Sequence, residues 1–79
     1  MSLFSFFDNS IPRDPVRSSN LRSVGYDRWA RRLEIEFRGG RIYAYFDVPE
    51  YIHSQLMGAS SKGRFFHYNI KGRYRYRRL

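Results

Sequence analysis

No cysteine occurs in this chain, which excludes disulfide staples and thiolate metal ligands and fits a reducing compartment. No apolar run approaches the ~20 residues that a membrane-spanning helix needs. Leu3-Phe4-Ser5-Phe6-Phe7 is apolar, but only Met1 and Ser2 precede it, without the basic start and small-residue cleavage site of a secretory signal. A cytoplasmic location is therefore expected. Histidine occurs only at His53 and His67, on separate predicted helices, and there is no carboxylate cluster, H-E-x-x-H spacing or nucleophile elbow. Neither catalysis nor a bound cofactor or metal is expected. Carboxylates also run out at Glu50: none lies between Tyr51 and Leu79, a stretch holding seven Lys or Arg residues. Residues 1–50 carry eight basic and seven acidic side chains, so all but one of the net charge of +8 falls in the last 29 residues.

What is present is aromatic and basic. The chain has 79 residues, room for one domain, and 42% hydrophobic with 19% aromatic content supplies the efficient core so small a domain needs. A pI near 10.5 favours acidic partners: nucleic acid, an anionic surface or an acidic protein. The chain closes on Arg73-Tyr74-Arg75-Tyr76-Arg77-Arg78-Leu79. Guanidinium groups bind phosphates and stack on bases, and tyrosine rings offer stacking platforms, so this alternation suits a nucleic-acid surface. The alternative is a solvated strand with tyrosines packed inward.

Residues 1–16 read as an N-terminal arm, punctuated by Asp8-Asn9-Ser10, Pro12 and Pro15. Its apolar tip, Leu3, Phe4, Phe6 and Phe7, should dock either on its own domain or on another chain. Residues 17–79 read as the domain. Leu21–Tyr26 is a first strand candidate, Leu33-Glu34-Ile35-Glu36-Phe37 alternates as a half-buried strand, and Arg41–Phe46 is the third. A two-residue turn at Gly39-Gly40 would pair Phe37 with Ile42, Ile35 with Ala44 and Leu33 with Phe46 on the core face. Tyr43 and Tyr45 would then share the other face with Glu36 and Glu34. A helix should start at Asp47-Val48-Pro49-Glu50, bury Ile52 and Leu56, and stop at Gly58. Ser60-Ser61 offers an N-cap for a second helix through Phe65, Phe66, Asn69 and Ile70, ended by Lys71-Gly72. The expected fold is α+β: a small antiparallel three-stranded meander, two short helices packed on one face, and a basic C-terminal strand or tail.

Several segments resemble the KTSC domain, a small domain named for its occurrence at the C-terminus of some lysyl-tRNA synthetases. They are Ser18-Ser19-Asn20-Leu21, Val24-Gly25-Tyr26-Asp27, Tyr43-Ala44-Tyr45-Phe46-Asp47-Val48-Pro49, Ser60-Ser61-Lys62-Gly63-Arg64-Phe65-Phe66 and Ile70-Lys71-Gly72-Arg73-Tyr74. The resemblance covers residues 17–79. It implies a module found in small bacterial and phage proteins, with a suggested role in binding RNA or other nucleic acid. The ending here is more basic than that pattern.

Candidate sites follow. Ser61, Lys62, Gly63 and Arg64 open the second helix, where free N–H groups and the dipole favour an anion; the alternative is an ordinary cap with a glycine required by packing. His67 could touch a phosphate beside Arg64, and His53 reads as a surface helix position. Lys71, Arg73, Arg75, Arg77 and Arg78 would add phosphate contacts. Tyr43, Tyr45, Tyr74, Tyr76 and Trp29 are the stacking candidates, although Glu34 and Glu36 beside Tyr43 and Tyr45 would repel a phosphate path. Trp29, flanked by Arg28, Arg31 and Arg32, either anchors a partner or folds back over an apolar edge. The expected function is a non-catalytic module binding RNA or single-stranded nucleic acid. The alternative is a phage or mobile-element inhibitor, anti-CRISPR-like, that blocks a host nucleoprotein complex through the apolar tip. No small-molecule substrate or membrane partner is expected.

Overall fold

The computed structural model describes residues 11–79; Leu3, Phe4, Phe6 and Phe7, and the docking expected of them, lie outside the described residues. The elements are β1 (Asp14–Pro15), β2 (Leu21–Asp27), β3 (Arg32–Phe37), β4 (Ile42–Tyr45), α1 (Glu50–Gly58), α2 (Lys62–Asn69) and β5 (Tyr76–Arg78). The strands form one antiparallel sheet in chain order, β1 to β5. The fold is thus α+β with two helices, but the sheet has five strands where the pattern predicted three. Of the two further strands, β5 is the C-terminal strand that the sequence left open against a tail, and β1 falls in residues read as an arm; at three and two residues both are too short to show a periodicity.

Local chemistry explains the helices. Pro49, extended with φ of −64°, leads into α1, and Glu50 faces the positive end of its dipole. Ile52 and Leu56, four apart, put one face into the core. The Ser61 Oγ accepts from the Arg64 N–H at 3.3 Å, so Ser61 caps α2 as its sequence suggests. Gly72, at φ of +77°, turns the chain towards β5. Both helices cover the sheet face that carries Leu21, Val24, Leu33, Ile35 and Tyr45, closing a core with Val48, Ile52, Leu56 and Ile70. Each fully buried Leu or Ile there contributes roughly 1.5–3 kcal/mol.

The β3–β4 register corrects the sequence reading by one residue. Leu33 pairs with Tyr45, Ile35 with Tyr43 and Glu36 with Ile42. The cause is the turn. Gly39 and Gly40 both take positive φ, but Arg38 joins them in the loop: the Gly40 N–H donates to the Phe37 carbonyl at 3.0 Å and the Phe37 N–H to the Arg41 carbonyl at 2.8 Å. Positive φ at the third turn residue is a type II requirement, met by Gly39. A three-residue loop slides β4 by one position, and with a period of two every β4 side chain changes face. Tyr43 and Tyr45 therefore face the helices, and Ala44 faces away with Glu34 and Glu36.

The far face is ordered by a bulge and an ion-paired carboxylate. Pairing shifts between Leu21 and Ser23, so the extra residue Arg22 lets Leu21 enter the core while Ser23 points outward, its hydroxyl donating to Glu36 Oε1 at 2.8 Å. Glu34 is fully buried, held by Arg13 at 2.8 Å and Arg32 at 2.7 Å. Arg13 reaches it because the chain before β1 crosses the sheet over Gly25. A Cβ at Gly25 would stand 2.3 Å from the Pro12 carbonyl oxygen, so only glycine allows that crossing.

Candidate functional site

A cleft of about 680 Å³ opens between the β4–β5 edge of the sheet and α2. The strand pleat builds its aromatic part. Tyr45 pairs with Tyr76 across β4 and β5, and Tyr43 with Arg78, so these four side chains share the helix face. Tyr76 lies 5.7 Å from Tyr43 and 6.0 Å from Tyr45 between ring centroids. Phe66, from the middle of α2, meets Phe37 edge-on at 5.1 Å and Tyr45 at 5.7 Å. Tyr45 is the floor: burial, then its phenolic neighbours Tyr43 and Tyr76, push its hydroxyl up to about 12, so it stays neutral. Tyr76 is the open wall, 62% exposed.

The rim is basic. Arg38 and Arg41 stand at either side of the β3–β4 turn, and Lys71 and His67 approach from the end of α2. The Arg38 Nε donates to the Ser18 carbonyl at 3.1 Å, which ties the guanidinium to the chain before β2. Arg41 sits 5.5 Å from the Phe37 ring centroid. No carboxylate lines the cleft. Glu34 and Glu36, expected beside Tyr43 and Tyr45, lie on the opposite face because of the register shift, which removes the repulsion that the sequence reading implied.

Of the residues singled out in the sequence, Tyr43, Tyr45, Tyr76, Gly63, His67 and Lys71 come together here. Others do not. Lys62 donates to the Ala59 carbonyl at 3.0 Å and closes the end of α1. Ser61 is occupied as the cap, and Arg64 borders a shallower hollow with Tyr68. Arg73 donates to the Tyr68 carbonyl at 3.0 Å; Arg75 pairs with Asp47 at 3.1 Å, both exposed, over the Phe46 ring. Arg77 pairs with Ala44 and so points to the far face. Tyr74 packs against the core rather than offering a free ring. Trp29 is 88% exposed on the β2–β3 turn, with only Arg28 over its ring, and does not line the cleft.

His53 also departs from expectation: it is half-buried, stacked on Tyr26 at 4.7 Å, and burial lowers its pKa. The residues that sequence reasoning missed are Arg38, Arg41, Asn20 and Phe66. Arg-Gly-Gly-Arg was the available signal for the first two, hidden by the near neutrality of residues 1–50. Among the described residues no group of His, Asp and Glu could hold a metal ion, and no helix is long and apolar enough to cross a membrane.

Comparison with known proteins gives a consistent result. The family model for the KTSC domain matches residues 17–74. A protein from Stutzerimonas stutzeri is 43% identical over 70 residues, covering 87% of this chain and 99% of its own length. A lysine–tRNA ligase from Nostoc sp. is 39% identical over 70 residues, 89% of this chain but only 12% of the ligase. The crystal structure of a KTSC domain protein from Yersinia pestis superposes with a TM-score of 0.84 at 48% identity, covering 89% of this chain and 99% of that one.

Proposed function

The chain belongs to the KTSC domain family, and from that premise we propose that it is a non-catalytic nucleic-acid-binding module whose ligand is single-stranded RNA. One observation carries this reading: an aromatic cleft with three cations on its rim and no carboxylate in its lining. Aromatic faces stack on any base, and each such contact is worth about 1–3 kcal/mol. Arg38, Arg41, Lys71 and Arg78 neutralise the phosphates on either side, with Arg78 brought to the cleft face by its pairing with Tyr43. The match to part of a lysine–tRNA ligase supports RNA over DNA, since it sets such a segment in one chain with an enzyme of tRNA.

The test is fluorescence anisotropy with a short labelled single-stranded RNA across a salt series from about 50 to 200 mM. Four phosphate contacts give a slope of log affinity against log salt near −3, at roughly 0.7 per contact. Replacing Arg38 and Arg41 by Gln flattens the slope by about 1.4, and Tyr76→Ala weakens binding without changing it. Absence of binding at the lowest salt, or binding indifferent to these variants, refutes the proposal.

A further inference from the structure

We infer that the cleft is base-selective and that Asn20 is the residue that reads the base, an inference that rests on the nucleic-acid reading above. Asn20 stands at the start of β2 on the cleft lining. Its main chain is fixed at both polar groups: its N–H donates to Ser18 Oγ at 3.1 Å, and its carbonyl accepts from the Arg38 N–H at 2.9 Å. Its side-chain amide takes part in none of the hydrogen bonds among the described residues, whereas the Asn69 amide donates to the Phe65 carbonyl at 3.1 Å. Asn20 is exposed, so the amide on this anchored backbone is open to solvent and to a ligand in the cleft.

Gly63 explains why the amide can lie where it does. A Cβ built at Gly63 would come within 2.7 Å of Asn20 Nδ2 and 3.4 Å of Cγ. The amide therefore rests on the bare backbone at the start of α2, and the glycine leaves room for Asn20 rather than for a phosphate. The atom displaced by a methyl group is the end of a side chain. Substitution would move the amide without breaking α2.

The chemistry of that amide selects its ligand. It presents a donor and an acceptor side by side; on the Hoogsteen edge adenine alone answers both, with N7 and the 6-amino group, and that is the edge read here. A volume of about 680 Å³ is in the range that holds one compact ligand, so the cleft takes a single unstacked nucleoside against Tyr76 and Tyr43. Arg38, next to Asn20, then meets the adjoining phosphate.

The experiment uses oligouridine RNAs of equal length that differ in one central position, A, C, G or U, with the full chain. All four carry the same number of phosphates, so the electrostatic contribution cancels. The adenine RNA is expected to bind tightest, by between about 5- and 150-fold, as for one bidentate amide contact. Asn20→Ala and Gly63→Ala should each equalise the four RNAs, with the salt slope and melting temperature kept. Asn20→Asp, an acceptor only, should lose the preference for adenine, because its carboxylate meets the acceptor N7. Equal binding of the four by the unaltered chain, or an order that survives Asn20→Ala, overturns the inference while salt-dependent binding sustains the broader reading. Binding of none of the RNAs at low salt overturns both.

Discussion

Glu34→Gln removes the one buried charge among the described residues, on the sheet face away from the helices. The substitution keeps shape and volume but leaves Arg13 and Arg32 facing an amide that can accept from only one of them. Breaking a buried ion pair by removing one partner costs about 3–5 kcal/mol, because the remaining charge is uncompensated. Here the arginine side chains retain 23% and 13% exposure, so they can recover some hydration, and the cost falls near the lower end, about 3 kcal/mol. A domain of this size has a total stability of roughly 4–12 kcal/mol, so the loss is a large fraction of it. At about 4–8 °C per kcal/mol the melting temperature should drop by roughly 12–24 °C, measured by circular dichroism and checked by the urea midpoint. A triple variant, Glu34→Leu with Arg13→Met and Arg32→Met, should recover much of that loss, since apolar packing replaces such a triad at little cost. A Glu34→Gln chain melting within about 4 °C of the parent would refute the buried triad.

Three further outcomes are expected. The hydroxyl of Tyr45 sits at about 12 in the fold against 10 in the unfolded chain, so its contribution is present below pH 10 and is lost as pH rises towards 12. That loss is at most about 2–3 kcal/mol; denaturant titrations at rising alkaline pH should show it, and Tyr45→Phe should remove it. Burial lowers the pKa of His53, so the unfolded chain binds its proton first and stability falls as pH drops below 6.5; His53→Phe, which keeps the stack on Tyr26, should abolish that fall. Gly25→Ala should lower stability by about 3 kcal/mol, because the new methyl meets the Pro12 carbonyl, and a melting temperature equal to the parent's would mean that the chain does not cross there.

How much was legible in the sequence follows the range of each signal. Helix ends are short-range signals: Ser61 announced the start of α2 and Gly58 the end of α1, whereas α2 stops at Asn69, before the Lys71-Gly72 expected to end it. Strands β2 to β4 were visible because their alternation spans enough residues to be periodic. Their relative register was not, since it hinged on whether Arg38 belongs to a strand or to the turn. That one residue decided which face Tyr43 and Tyr45 occupy, and with it whether the aromatic site sits beside carboxylates or away from them. The cleft itself joins Asn20, Arg38, Phe66 and Tyr76, which are far apart in the chain. The Arg38–Asn20 backbone bond at the end of the β2–β3 pair, the pairing of β5 with β4 and the packing of Phe66 on Tyr45 bring them together, and none leaves a local trace.

The position of β5 sets an order of events in time. Strands β2, β3 and β4 join through short turns, so their contacts can form as neighbours in the chain meet. β5 must instead wait for residues 46–75, with both helices, to close a long loop. It is an edge strand of three exposed residues, tied at its ends by the Phe46–Arg75 and Ile42–Leu79 hydrogen bonds. Such a strand forms last and opens first, so its amides should exchange with solvent far faster than those of β3. Because Tyr76 travels with it, the wall of the cleft can swing away while Leu33 and Ile35 stay covered. The cleft thus has its own, shorter lifetime, set by the hold of one brief strand and not by the stability of the whole domain.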